Sequence, residues 1–271
     1  MEFRTPTIPN AELRLTPPSP YGGSIYLRGY GEGNSGNWSY FSVDYDVGLS
    51  MSAFTEWTIE FWYKWHIDPR TSLPNTVTVM GAGNFQQGYD WAIKMGAVQW
   101  YMNVASPAFV GGTSVKNFNQ GGNAGGGTTP DVWYHAAFVR ANGTIRSWLN
   151  GVNDPRDDWT NAPTTSYDSA RKFAVGRELM NNGSIVIGGG IGAPLTITNL
   201  KIQLNQATYS SQTFTPPEFP LTADGSTALL MNVTSAQTAF VDSSPVGRTI
   251  TNGPGVYFAQ YDKSSPFPFT I

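Results

Sequence analysis

Nine residues, Trp57-Thr-Ile-Glu-Phe-Trp-Tyr-Lys-Trp65, constrain what this chain can fold into more than any other stretch. The odd positions Trp57, Ile59, Phe61, Tyr63 and Trp65 are all apolar. Thr58, Glu60 and Lys64 are polar, and only Trp62 breaks the alternation. A period of two places alternate side chains on opposite faces of an extended strand, so the segment reads as a β-strand with one buried and one wetter face. Ile59, Phe61 and Tyr63 are expected to face the interior, and Glu60 the wetter side. A second signal lies at Val132-Trp-Tyr-His-Ala-Ala-Phe-Val-Arg140, followed by Ala141-Asn-Gly-Thr144 and Ile145-Arg-Ser-Trp-Leu149. Asn-Gly supplies the positive φ values that a two-residue turn requires, so a hairpin is expected, closing on a further Asn150-Gly151.

Other short strand-like runs are Ser24–Arg28, Tyr40–Asp44, Thr76–Met80, Phe173–Gly176, Ser184–Ile187 and Leu195–Gln203. Tyr89–Met95 and Val98–Met102 are expected to pair across a Gly96-Ala97 turn. Residues 105–130 read as one long Gly-rich loop, of the kind that serves function or assembly. Gly 30 and Pro 19 among 271 residues exceed ordinary usage and suit many tight turns, and no window sustains a helical period. The first 20 residues carry prolines at 6, 9, 17, 18 and 20 around Ala11-Glu-Leu-Arg-Leu15. Proline fixes φ and removes a donor, so this is read as an extended arm. The organisation expected is an arm at 1–20, a sandwich at 21–221, and a segment at 222–271 whose strands complete the sandwich.

The phrases at 57–65 and 133–152 resemble the laminin-G-like (concanavalin A-like) jelly roll, with its "FTIEFWV" and "WHHVAVVRSGGTIRLYVNGV". Ser24–Arg28 with Tyr40–Asp44, and Ala174-Val-Gly-Arg-Glu178, resemble further phrases of the same module. The run from Ala207-Thr-Tyr through Phe214-Thr-Pro-Pro217 to Pro220-Leu-Thr222 is similar to versions in tail and particle proteins of bacterial viruses. The resemblance implies an all-β, antiparallel two-sheet jelly roll and a role in binding. One departure stands out. Ala228–Asn232, Val241–Ser244 and Arg248–Gly253 look like strands that normally open such a module, yet here they come last. They either begin a truncated second repeat or complete the first sandwich in permuted order, and the second is preferred because sandwich termini lie close together.

Charged residues make up 13% of the chain, the net charge is -3, and no basic stripe exists, which gives nucleic acid no footprint. No run approaches the ~20 apolar residues of a membrane-spanning helix, and the first ten residues lack the apolar core of a signal peptide. Cysteine is absent. A soluble product made without a secretory leader is therefore expected, placed by the resemblance on a virion surface.

Glucanases of this fold carry a Glu-x-Asp-x-(x)-Glu strand. Its nearest match is Glu56-Trp-Thr-Ile-Glu60, where Thr58 replaces the central acid, so no catalytic residue is assigned and the chain is read as non-enzymatic. His66 and His135 are the only histidines, too few for a zinc site of the usual type, and His135 is expected to pack within its strand. No cofactor is required. The resemblance implies that calcium could be held at the rim, with Asp154, Asp157 and Asp158, or Asp44 and Asp46, as candidate ligands; the alternative is a solvated acidic loop. A glycan needs an aromatic plate beside amide and carboxylate groups, and Trp38 and Trp159, the latter beside Asp157 and Asp158, have such company. The function expected is structural: a capsid decoration or fibre-type protein of a bacterial virus. Its partners would be other virion proteins and sister copies in a homo-oligomer, with adhesion to host surface glycans as a second role. A free carbohydrate-binding lectin is the alternative.

Overall fold

The computed structural model describes residues 23–27, 39–66, 77–84, 86–95, 100–104, 115–118, 128–153, 158–164, 168–184, 194–217, 220–234, 238–253 and 256–259. Among them the chain forms strands β1 (Ser24–Leu27), β2 (Phe41–Val43), β3 (Trp57–Trp65), β4 (Val77–Asn84), β5 (Gly88–Met95), β6 (Trp100–Val104), β7 (Val115–Phe118) and β8 (Tyr134–Ala141). The remainder are β9 (Thr144–Leu149), β10 (Val152–Asn153), β11 (Phe173–Val175), β12 (Leu195–Leu204), β13 (Thr227–Met231), β14 (Ile250–Asn252) and β15 (Val256–Ala259). Two single 3-10 turns, Val47–Leu49 and Met51–Ala53, are the only helical pieces among the described residues. No described helix is long and apolar enough to cross a membrane.

The strands make two antiparallel sheets. One runs β10-β9-β8-β3-β12-β1-β15, with β13 also on β12; the other runs β14-β2-β11-β4-β5-β6-β7. Between them lies one large core containing Ile59, Phe61, Tyr63, Trp91, Trp100, Phe138 and Phe173. The alternation of β3 sends Ile59, Phe61 and Tyr63 into that core, each fully buried. Each such side chain contributes about 1.5–3 kcal/mol by leaving water. Tyr63 meets Trp100 edge-on at 5.0 Å and stacks on Tyr134 at 5.9 Å, so aromatic pairs lock β3, β6 and β8 together.

The hairpin β8–β9 turns at Asn142 and Gly143, with φ of 50° and 75° as a two-residue turn requires. The β5–β6 connection differs from expectation. Met95 pairs with Trp100, not with Val98 as a turn at Gly96-Ala97 would require, and residues 96–99 lie outside the described residues. Alternation leaves such a register undecided wherever both faces of a hairpin are apolar. The stretch 105–130 is not one loop either, because β7 adds to the edge of β6. Ser184–Ile187 contributes no strand that is described, since residues 185–193 lie outside the described part.

Three strands come from the end of the chain. β13 pairs with β12, β14 with β2, and β15 with β1, so both sheets contain strands from residues 227–259. The arm at 1–20 lies outside the described residues.

Candidate functional site

The outer face of the first sheet, away from the core, carries the even positions of β3: Thr58, Glu60, Trp62 and Lys64. A wet face was expected there, yet Glu60 is only 2% exposed. The reason is a strap, residues 205–217, that returns across β3, β8 and β9. Tyr209 and Phe214 of the strap stack face to face at 3.7 Å and pack on Ala137, Val139 and Trp148. Trp148 Nε1 donates to the Ser211 carbonyl at 3.1 Å, and Trp62 Nε1 to that of Pro217 at 3.1 Å. Thr58 Oγ1 donates to the Gln206 carbonyl and accepts from the Thr208 N–H.

Under this strap Glu60 Oε2 accepts from Tyr209 Oη at 2.6 Å, and His135 Nε2 stands 3.4 Å away. Burial, reinforced by Glu60, pushes the Tyr209 phenol well above its ordinary range, so it stays a donor. His135 is 1% exposed, as a packed strand residue should be, and neither ring nitrogen makes a hydrogen bond to a described residue. A glycosidase needs carboxyls that reach substrate. Glu60 does not, and Glu56 lies outside this cluster, half-buried.

On the second sheet Glu178 is the buried acid. Its Oε1 accepts from Thr78 Oγ1 at 3.0 Å, Tyr89 Oη at 2.6 Å and Lys94 Nζ at 2.8 Å. Lys94 also lies over the Tyr89 ring. Asp90 accepts from Ser50 Oγ at 2.6 Å and from Tyr45 Oη; burial nevertheless raises its carboxyl above the usual range, those two hydrogen bonds opposing the rise. Both acids are committed to holding the sandwich.

The loop candidates separate. Asp158 is half-buried, and its carboxylate meets Arg146 Nε at 2.8 Å and Asn153 Nδ2 at 3.4 Å. Trp159 exchanges backbone hydrogen bonds with Ile145 and packs partly on the core, so its ring is not a free plate. Asp46 caps the first 3-10 turn and pairs with Arg248 at 2.8 Å, while Asp44 is exposed. Trp38, Asp154 and Asp157 lie outside the described residues, and among those described no group of three acid or histidine side chains gathers as a metal cage.

The open polar group lies at the other end of β8, before its first residue. Asp131 sits at φ 61°, its N–H bonded to the Trp65 carbonyl, with its carboxylate 67% exposed. Asp131 Oδ1 is 2.6 Å from His66 Nδ1, and His66 Nε2 is 2.7 Å from Thr196 Oγ1. A carboxylate only accepts, so Nδ1 carries the proton and Nε2 of the neutral ring accepts from the threonine hydroxyl. The order acid–imidazole–hydroxyl is that of an activated nucleophile. Thr196 is 3% exposed and central to β12, however, so its hydroxyl is closed to substrate and the chain of bonds orients the ring. Tyr26 meets the His66 ring edge-on at 5.5 Å, and Lys64 lies 5.2 Å over Trp133. Burial lowers the pKa of His66, Asp131 opposing, and burial likewise lowers that of Lys64. An exposed, pre-oriented acid beside a half-buried imidazole and tyrosine is an arrangement that receives hydroxyl donors. Sequence reasoning missed it, although Pro130-Asp131 just before a strand is a turn signal.

Fold and site together define a jelly-roll sandwich of the laminin-G-like, concanavalin A-like type. Among solved structures the chain is similar to the native heptameric SAP-like pentraxin from Limulus polyphemus, with a TM-score of 0.55 and 12% identity over 91% of this chain and 99% of that one. Mouse laminin alpha1 domains LG4-5 give a TM-score of 0.42 and 11% identity over 72% and 46%. The botulinum neurotoxin serotype D binding domain gives 0.40 and 12% over 70% and 50%, so this chain spans about half of each of these two. No family's sequence pattern and no curated protein matches the chain.

Proposed function

We propose that this chain is a non-enzymatic binding module that acts as a repeated subunit of a larger assembly and meets polyhydroxylated ligands at the loop end carrying Asp131, His66 and Tyr26. One contrast carries the reading. Glu60 is sealed beneath the strap and Glu178 is held by three donors, whereas the Asp131 carboxylate is oriented yet open to water. Such a surface can bind glycan hydroxyls, and among the described residues Glu60 and Glu178 are not the reachable carboxyl pair that hydrolysis requires. A glycan array with purified protein tests it. Binding without release of sugar products is expected, weakened about tenfold by Asp131→Asn. Hydrolysis abolished by Glu60→Gln would reject the reading.

The narrower placement is on the surface of a bacterial virus, as a decoration or fibre-type protein. It draws support from the resemblance of 207–222 to phage particle proteins, and from a weakly charged surface that lets copies approach closely. The same fold forms a heptamer in the Limulus pentraxin, so ring assembly is compatible with it. A free lectin is the competing reading, and it would bind glycan fully as a monomer. Sedimentation together with particle binding separates the two.

A further inference from the structure

Several described acids are matched with a cation. Asp46 has Arg248 Nη1 at 2.8 Å, Asp158 has Arg146 Nε at 2.8 Å, and Asp168 has Arg171 Nε at 3.0 Å. Glu178 has Lys94 Nζ at 2.8 Å, and Asp224 has Lys201 Nζ at 3.6 Å. Asp131 is built differently. Among the described residues its carboxylate meets only an imidazole, with Oδ1 2.6 Å from His66 Nδ1, and Oδ2 has no partner. Burial lowers the pKa of His66 from its ordinary 6.5, Asp131 opposing, so near neutral pH the ring is uncharged and the pair keeps its negative charge. Lys64, whose field also reaches Asp131, is 4% exposed, and its ammonium lies over the Trp133 ring rather than being offered to a ligand.

The Asp131 carboxylate is thus half of a salt bridge, 67% exposed and already fixed in direction. The backbone holds it through φ 61° and the N–H bond to the Trp65 carbonyl, and Thr196 Oγ1 holds the ring at 2.7 Å from Nε2. Little side-chain freedom remains to be lost when a ligand arrives. Asp44 is exposed as well, but no described side chain orients it. An ionised carboxylate only accepts, and its bonds to charged donors are roughly twice as strong as bonds between neutral groups. A uronate would meet like charge here, and a hydroxyl would fill the acceptor without balancing the charge. A protonated amine does both. Val132, 44% exposed next to Asp131, and the half-buried Tyr26 ring beside His66 give apolar contact for the C–H face of a sugar. We infer that Asp131 determines specificity at this site, selecting glycans that carry a protonated amine, amino sugars without an N-acyl group, over neutral and acidic ones. This rests on the reading above that polyhydroxylated ligands dock here, and narrows their class.

Calorimetric titration of the full chain, just below neutral pH and at low salt, tests it with three probes: a glucosamine oligosaccharide, its N-acetylated form, and a short lysyl peptide. The glucosamine oligomer should bind about tenfold more tightly than the acetylated one. The difference should vanish in high salt and in Asp131→Asn, a residue that tolerates the positive φ of that position. Asp44→Asn removes an equal charge elsewhere and should leave the difference intact. Equal affinity of the unaltered protein for both oligomers would overturn this inference and leave hydroxyl binding standing. A preference that survives Asp131→Asn, or that Asp44→Asn reduces as much, would also overturn it, because general attraction would then explain the preference. A lysyl peptide bound as tightly as the glucosamine oligomer would assign the site to polypeptide and overturn the glycan class. Failure of both oligomers to bind would overturn this inference together with the reading beneath it.

Discussion

Tyr209 Oη donates to Glu60 Oε2 at 2.6 Å across 149 residues of sequence, tying the strap to the outer face of β3. That bond satisfies an acid which nothing else would shield from the apolar strap above it. It also converts what alternation marks as a solvated position into part of the interior. Tyr209→Phe would leave Glu60 buried with only His135 nearby. It should cost about 1–3 kcal/mol in urea denaturation, and adding Glu60→Gln should restore part of the loss.

The strap depends on Gly151. Its φ is 77°, and a Cβ there would lie 1.9 Å from the Phe214 carbonyl oxygen. Gly143 has a similar φ of 75° but nothing within 4 Å. Gly143→Ala should therefore cost roughly 1 kcal/mol from conformation alone. Gly151→Ala should cost roughly 2 kcal/mol or more and raise hydrogen exchange along 205–217.

Asp90 should make stability fall with rising pH. Its folded pKa is raised by burial, so the folded state holds the proton more tightly than the unfolded chain. The favourable contribution is complete below the unfolded carboxyl value and is lost as pH rises through the folded one. Asp90→Asn removes this dependence and should stabilise the protein at neutral pH by about 1 kcal/mol, visible as a flatter profile of unfolding free energy against pH.

His66 works in the opposite sense. Burial lowers its pKa below 6.5, so the unfolded chain takes the proton first. Its contribution is present above that value and declines as pH falls through it towards the folded pKa. Asp131→Asn removes the group that opposes the lowering, so the His66 resonance in an NMR titration should move to still lower pH. With only two histidines, one of them sealed under the strap, assignment is direct.

Removal of residues 222–271 deletes β13, β14 and β15, taking fully buried Leu229 and Met231 from the core. The 1–221 fragment is expected to lose cooperative unfolding. A sharp thermal transition in that fragment would show that the sandwich closes without them.

The alternation at 57–65 suffices to make β3 a strand and to send Ile59, Phe61 and Tyr63 inward, because side-chain direction follows directly from an extended backbone. Asn142-Gly143 likewise determines its own turn through the positive φ values that those residues tolerate. The polar side of β3 could not be read this way. Glu60, Thr58 and Trp62 meet a strap from residues 205–217, and nothing local encodes whether a sheet face is covered. The same holds for Asp158, whose loop acidity suggests a ligand until Arg146 is found beside it, and for Asp131, which gains meaning only when His66, just past the end of β3, and Thr196 of β12 are brought beside it. Periodicity and turn chemistry are properties of neighbours in sequence. Which polar groups remain open to a partner is a property of packing between distant segments, and only the tertiary structure decided it.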